Sequence, residues 1–143
     1  MIDAILKMIR DNSLCALSTC SSDRPNTSLM LYLPDESGLN LYMLTREGSL
    51  KYRNIVQNAH VSLLIDTRIQ ASDIHRPIKA LTVFGMAAAV SDPSERQAWL
   101  SQLLTRHPEL AVLAGDPACK LIKVEAVKFS LLKGVDESIS VTL

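Results

Sequence analysis

The spacing of apolar residues changes several times along the chain, and each change predicts a new structural element. Ile2, Ile5 and Ile9 recur at helical intervals, which predicts a short amphipathic helix that ends at residues 11–13. Helical spacing returns over residues 49–58. The runs typical of strands are 14–20, 27–33, 39–44, 60–66, 78–90 and, as two strands with a bend near Ala126, 119–134.

Capping and turn residues support these boundaries. Ser49 is a suitable N-cap for the second helix, because its hydroxyl can accept from a free N–H of the first turn. Asp92 and Pro93 predict the start of a third helix, which His107 and Pro108 end. Residues 109–115 then predict one or two further helical turns.

Polar segments predict the connections between strands. Turns are expected at 21–26 and 34–38, and a longer loop at 67–77. Gly85 lies inside a predicted strand, where a glycine indicates a bulge or a close backbone approach.

The order of these elements predicts the fold class. Six or seven mostly consecutive strands, with three helices between them, favour an antiparallel barrel or strongly curved sheet with flanking helices over a parallel α/β fold. Tight turns predict that the first three strands pair as a sequential meander. A chain of 143 residues is expected to form one domain over 1–143.

Composition narrows the function classes. The chain is 48% hydrophobic and 21% charged, with 15 basic and 15 acidic residues, so it lacks the excess positive charge that nucleic-acid binding needs. It lacks an apolar stretch long enough for a membrane span, and its charged N-terminus does not resemble a signal peptide. We therefore expect a cytoplasmic protein that binds neither nucleic acid nor membranes. Its cysteines, Cys15, Cys20 and Cys119, are expected to be reduced core thiols.

The familiar catalytic motifs are absent from the sequence. His60, His75 and His107 are far apart and form no metal-binding motif, so no metal site is predicted. The serine-nucleophile elbow, the P-loop and the dinucleotide fingerprint are also missing.

The stretch "TREGSLKYRN" (45–54) carries the best candidate for ligand binding. The helix that starts at Ser49 offers free N–H groups and a partial positive charge to an anion. Thr45 adds a hydroxyl, Gly48 allows close approach to the backbone, and Lys51 adds a full charge. The alternative interpretation is a capped helix with a solvated basic first turn, and this stretch alone favours that alternative, because its pattern is weak. Arg46 and Arg53 are further cations that either bind the anion or face solvent.

The wider order of segments resembles the pyridoxamine 5'-phosphate oxidase-like family of FMN-binding split barrels. The resemblance covers roughly residues 1–90, and it is most specific over "LYMLTREGSLKYRNIVQNAHVSLLID" (41–66). It implies a mainly β fold with flanking helices, in the form of a six-stranded antiparallel split β-barrel of Greek-key type. It also implies a homodimer with FMN in a groove at the interface.

The resemblance implies a set of cofactor-binding residues. Ser49 and Lys51 correspond to the phosphate-binding positions, with Leu50 between them and Thr45 beside the ribityl or phosphate groups. Leu44 is implied to contribute main-chain contacts. The strand 27–31 is implied to place the amides of three residues along the flavin edge: Ser28, Leu29 and Met30.

The chain also departs from the oxidase proper. Leu50 and Thr27 stand where that enzyme has phosphate-binding arginines, Ala80 stands where a glutamine is expected, and the C-terminal substrate segment has no counterpart. We therefore expect that the protein does not oxidise pyridoxamine phosphate. We expect instead an FMN-binding oxidoreductase whose substrate is unknown and whose catalytic residues are not assigned. The alternatives are the same fold with a deazaflavin or heme, and a non-enzymatic module that has lost its cofactor. Trp99 is expected to anchor the third helix in the core, or else to approach the flavin or the partner protomer.

Overall fold

The computed structural model of the chain describes residues 1–68 and 78–143. The predicted loop at 67–77 lies outside these residues except for Thr67 and Arg68, and His75 lies outside them as well. The helices are α1 (Ile2–Asp11), α2 (Leu50–Gln57), α3 (Pro93–Arg106) and α4 (Ala111–Ala114), and a 3₁₀ turn (Pro108–Leu110) precedes α4. The strands are β1 (Leu14–Ser21), β2 (Arg24–Leu31), β3 (Leu33–Pro34), β4 (Asn40–Arg46), β5 (His60–Asp66), β6 (Lys79–Ala89), β7 (Cys119–Lys133) and β8 (Glu137–Thr142).

The described strands form one curled antiparallel sheet, which confirms the predicted mainly β split barrel with flanking helices. The sheet has eight strands rather than six, in the order β2-β1-β5-β6-β7-β4-β3, with β8 paired to β7. The predicted meander is correct for the β1–β2 hairpin and wrong after it, because β4 pairs with β7 rather than with β2. Strands β2 and β4 still approach each other without pairing, which leaves a split in the barrel.

Tyr32 is where the chain leaves the meander. Its N–H donates to the Ser13 carbonyl at 2.9 Å, and its buried hydroxyl donates to the Ile9 carbonyl at 2.7 Å. The side chain therefore turns toward α1 and into the core, and β3 and β4 then form the other end of the strand order, across the split from β2.

The β1–β2 turn is shorter than the sequence predicted. Ser22 and Asp23 have φ of 51° and 60°, the left-handed pair that closes a two-residue hairpin with the normal strand twist. Pro25 consequently lies within β2, opposite Cys20. A proline is tolerated there because β2 is an edge strand and needs no N–H on its open side.

Gly85 forms the predicted irregularity in β6. The β6–β7 register shifts at this point, where Phe84 faces Lys128 and Gly85 faces Ala126. One residue of β7, Val127, is therefore left over as a bulge. The predicted break near Ala126 is thus a bulge in one continuous strand, and β8 was not predicted at all.

Two apolar cores hold the sheet between its helices. The barrel interior packs against α1 and includes the inward side chains of β4, Leu41 and Met43. The opposite face of β4 carries Tyr42 and Leu44, which pack against α3 in the second core. Strand β4, which leads into α2, is therefore packed on both of its faces.

Trp99 and the cysteines belong largely to these cores. Trp99 stacks on Tyr42 with ring centroids 4.2 Å apart and an 11° angle between the planes, which supports its predicted role as an anchor of α3. Cys15 and Cys119 are buried thiols, whereas Cys20 is half-buried. Burial raises the pKa of the Cys15 thiol to about 12, so this thiol is held in its protonated form.

In the two described stretches, none of the helices combines the length and apolar character needed to cross a membrane.

Candidate functional site

A groove that could hold a ligand lies in the split between β2 and β4. It has a volume of about 840 Å³ and is bounded by the first turn of α2 and by the segment from the 3₁₀ turn to α4. This volume suits a small-molecule or cofactor site. Of the eight residues predicted to bind a cofactor, six line it: Leu29, Met30, Leu44, Thr45, Ser49 and Lys51.

Ser49 begins α2 as predicted and uses its hydroxyl for the helix cap. The oxygen accepts from the Tyr52 N–H at 3.2 Å, and the O–H donates to the Arg46 carbonyl at 2.8 Å. The buried Thr45 hydroxyl lies 2.9 Å from the Ser49 oxygen and donates to it. Both hydroxyl protons are thus engaged within the turn, so these side chains shape the site rather than supply donors to an anion.

The first turn of α2 still offers donors at this end of the groove, namely backbone N–H groups and the Lys51 ammonium. Within the described residues, the N–H groups of Leu50 and Lys51 have no acceptor, as expected in the first turn of a helix. The half-buried Lys51 side chain forms no ion pair with any described residue. The helix dipole, the two N–H groups and Lys51 together attract an anion to this point.

Arg46 is a second cation in the groove wall, and it is already paired. Its Nε donates to Asp116 Oδ2 at 3.2 Å, across a separation of 70 residues in the sequence. The N–H of Ala118 donates to the other oxygen, Oδ1, at 2.9 Å. The Ala118 N–H first, and the Arg46 guanidinium next, hold the pKa of Asp116 below its usual range, so this carboxyl is ionised at neutral pH.

The walls of the groove are apolar. Leu44 is buried in the groove wall, whereas Leu29 on the edge strand is 72% exposed. Leu110 and Leu113 also line the groove, and they pack against the core cluster that contains Leu44. They were not predicted as site residues, although their spacing of three in "ELAVLAG" was an available signal. The described residues therefore fit a planar apolar ring system that carries an anionic group at one end.

The side chains of Leu50, Ser28 and Arg53 do not line the groove, although the Leu50 backbone N–H lies between the groove-lining residues Ser49 and Lys51. Leu50 is 51% exposed and lies with Arg53 in a separate polar groove between α2 and the β1–β2 turn. These two residues share a face because they are three positions apart on the helix, whereas Lys51 lies on another face. The Ser28 hydroxyl lies 3.4 Å from Asn26 Nδ2, and the predicted contact of the Ser28 amide with a flavin stays a prediction.

The described histidines lie away from the groove. His60 is exposed at the start of β5. His107 is buried at the end of α3, where its Nε2 lies 3.0 Å from the Tyr32 carbonyl oxygen. In the parts of the chain that the structure describes, no three His, Cys, Asp or Glu side chains come together as a metal site.

Comparisons with known proteins agree with the fold. The profile of the family described as pyridoxamine 5'-phosphate oxidase matches residues 1–133. No curated protein matches the sequence significantly.

Three solved structures illustrate the range of proteins with this fold. A FAD-binding protein from Mesorhizobium loti is 14% identical, with a TM-score of 0.78 over 94% of this chain and 96% of that chain. HutZ, described as the heme storage protein from Vibrio cholerae, is 20% identical, with a TM-score of 0.74 over 94% and 97%. General Stress Protein 26 from Bacillus anthracis is 20% identical, with a TM-score of 0.69 over 99% and 98%. At these identities the likeness concerns the fold alone.

Proposed function

The chain belongs to the pyridoxamine 5'-phosphate oxidase family, and on this premise we propose that it is a homodimeric flavoprotein that binds FMN in the groove between β2 and β4 and acts as an oxidoreductase. Its substrate is not identified. The observation that carries the proposal is a groove with apolar walls and a single cationic end, built by the first turn of α2. A flavin mononucleotide has a matching form, since it joins a planar aromatic ring system, apolar at its dimethylbenzene end, to a phosphate.

Different residues bind the phosphate and the ring system. The free N–H groups of Leu50 and Lys51 and the Lys51 ammonium hold the phosphate, in a position that the Ser49 cap fixes. Leu44, Leu110 and Leu113 exclude water from the ring system. A bound flavin supplies the electron or hydride transfer, and the protein orients it and controls access to it.

An apolar row on the sheet supports the homodimer. The register places Leu29 of β2, Ala16 of β1 and Leu64 of β5 side by side on one face. Leu29 is 72% exposed and Leu64 is 40% exposed. Because Leu29 also lines the groove, a second copy packed on this row would cover the groove from its open side. Light scattering coupled to size-exclusion chromatography should give about twice the mass of one chain, and a monomeric mass in the FMN complex would contradict this part of the proposal.

Titration of two α2 variants with FMN and riboflavin tests the cofactor assignment. Lys51→Ala removes a charge-assisted contact that contributes roughly 1.5–3 kcal/mol, so FMN affinity should fall about tenfold to a hundredfold. Riboflavin affinity should stay unchanged because riboflavin has no phosphate. Arg53→Ala is the matched control, since it removes a cation two positions away that lines the other groove. If Lys51→Ala and Arg53→Ala bind FMN equally well, Lys51 does not hold the phosphate.

Heme is the second candidate ligand. The apolar walls of the groove suit a porphyrin as well as a flavin, and HutZ of the same fold is described as a heme storage protein. Among the described groove residues, however, there is no histidine to serve as an axial ligand. Titration with hemin under the same conditions decides between the two. Binding of hemin without binding of FMN favours storage or transport of heme, and binding of neither favours a module that has lost its cofactor.

A further inference from the structure

The charge of the cationic end depends on a residue far from the family motif. Lys51 and Arg46 both line the groove, but Arg46 is held by the Asp116 carboxylate at 3.2 Å. The three side chains together carry one net positive charge. A phosphate monoester carries nearly two negative charges at neutral pH, so this end does not neutralise it fully.

We propose that Asp116 is a specificity-determining residue, a built-in counter-ion that weakens the groove's preference for ligands that carry a phosphate. This proposal rests on FMN or another phosphate-bearing ligand as the occupant of the groove. Asp116 sets how strongly the groove prefers a ligand with a phosphate to the same ring system without one.

Asp116 has two opposite effects on phosphate binding. By holding Nε, the carboxylate fixes Arg46 with both terminal nitrogens free of described acceptors, which by itself favours phosphate binding. The same carboxylate also repels a phosphate bound to Arg46. The pair is solvent-exposed, with 61% of the Arg46 side chain and 34% of the Asp116 side chain accessible, so the orienting contribution is small. Solvent screens the repulsion as well, but the phosphate carries nearly two charges and the Coulomb energy scales with the product of the charges, so the repulsion is the larger effect.

Asparagine is the appropriate replacement at this position. The Asp116 Oδ1 atom accepts from the Ala118 N–H at 2.9 Å, and the asparagine amide oxygen keeps this contact. The loop before β7 therefore retains its conformation while the charge is removed. Glu137→Gln is the matched control, because it also removes one negative charge. Glu137 begins β8 and lies opposite Lys133 in the strand register, at the other end of β7 from Asp116.

The experiment measures FMN and riboflavin affinities for the wild type, Asp116→Asn, Arg46→Gln and the double variant. We expect Asp116→Asn to tighten FMN binding about tenfold and to leave riboflavin unchanged. Arg46→Gln should weaken FMN binding, and Asp116→Asn should still tighten it in the double variant, because the carboxylate repels the phosphate directly. The Glu137→Gln control should match the wild type. An FMN-to-riboflavin ratio in Asp116→Asn within twofold of the wild type overturns the proposal, as does weaker FMN binding.

A titration with inorganic phosphate separates this proposal from the proposed function. The readout is the NMR shift of the Leu50 and Lys51 amides in the wild type and in Asp116→Asn. Tighter phosphate binding by Asp116→Asn, without any flavin binding, refutes the flavin assignment and supports the role of Asp116. Flavin binding that Asp116→Asn leaves unchanged refutes the role of Asp116 alone. The absence of both flavin binding and phosphate shifts refutes both.

Discussion

Replacing Gly85 with alanine should destabilise the barrel at its bulge. A Cβ atom at this position would lie 2.7 Å from Val124 Cγ1 and 2.8 Å from the Glu125 carbonyl oxygen. Both atoms belong to the paired strand β7, and Val124 is fully buried, so neither can move without disturbing the core or the ladder. Overpacking of this kind costs about 1–3 kcal/mol, and the lower entropy of the unfolded alanine chain offsets about 0.4–1 kcal/mol. We expect a net loss of about 1 kcal/mol in the free energy of unfolding.

Gly48→Ala is the control for this substitution. A Cβ atom at Gly48 would have no heavy atom within 4 Å, and neither glycine has a positive φ. The control should therefore leave stability unchanged or raise it by up to about 1 kcal/mol. Urea unfolding can be followed through the fluorescence of Trp99, the single tryptophan. If the two variants unfold within about 0.5 kcal/mol of each other, the close contact at the bulge does not constrain residue 85 and the reasoning is refuted.

Two further predictions concern a helix cap and a buried turn. Ser49→Ala removes the acceptor for the Tyr52 N–H and should lower the free energy of unfolding in urea by about 1 kcal/mol. Ser49→Asn, which can still cap α2, should lower it less. Equal losses in the two variants would show that the cap contributes little. Burial alone raises the pKa of Asp35, but hydrogen bonds from Asn40, Ser37 and Gly38 outweigh it and hold this pKa below the usual range. The unfolded chain therefore binds this proton more readily, so the stability that Asp35 contributes is complete above about pH 4 and is lost as the pH falls through the folded pKa. Asn40→Ala removes the side-chain hydrogen bond from Asn40 to Asp35. The free energies of unfolding at pH 3 and pH 6 should therefore differ less in this variant than in the wild type. An unchanged difference would show that this hydrogen bond does not lower the pKa of Asp35.

The local elements were predictable because they depend on short-range chemistry. The sequence places Ser49 at the start of α2 and limits β5 to residues 60–66, as the structure has them. Both follow from interactions within a few residues: a hydroxyl that caps the next turn, and an alternation that buries one face of a strand. Gly85 was informative for the same reason, because a glycine inside a strand signals a close backbone approach.

Pairing between distant strands was harder to predict. Tight turns favour a meander, but β4 can bury both faces only between the barrel interior and α3, and this requires pairing with β7. The bend expected near Ala126 became a bulge because the β6 partner, Gly85, accommodates the extra residue. Strand β8 is short, and only Ile139 and Val141 in it are apolar, so its alternation did not stand out from a polar C-terminal segment.

Five residues of the motif 45–51 line the groove between β2 and β4, but the motif did not reveal which of its atoms remain free to bind a ligand. Thr45 and Ser49 have the chemistry of anion ligands, yet their hydroxyls hold the turn together, so backbone N–H groups and Lys51 must provide the attraction. The charge that modifies this attraction comes from Asp116, 70 residues away from its partner Arg46. No local pattern connects those two positions, because only the pairing of β4 with β7 brings them together. Two chains with the same motif can therefore differ in how strongly they prefer a phosphate, and the loop before β7 is where that difference should be sought.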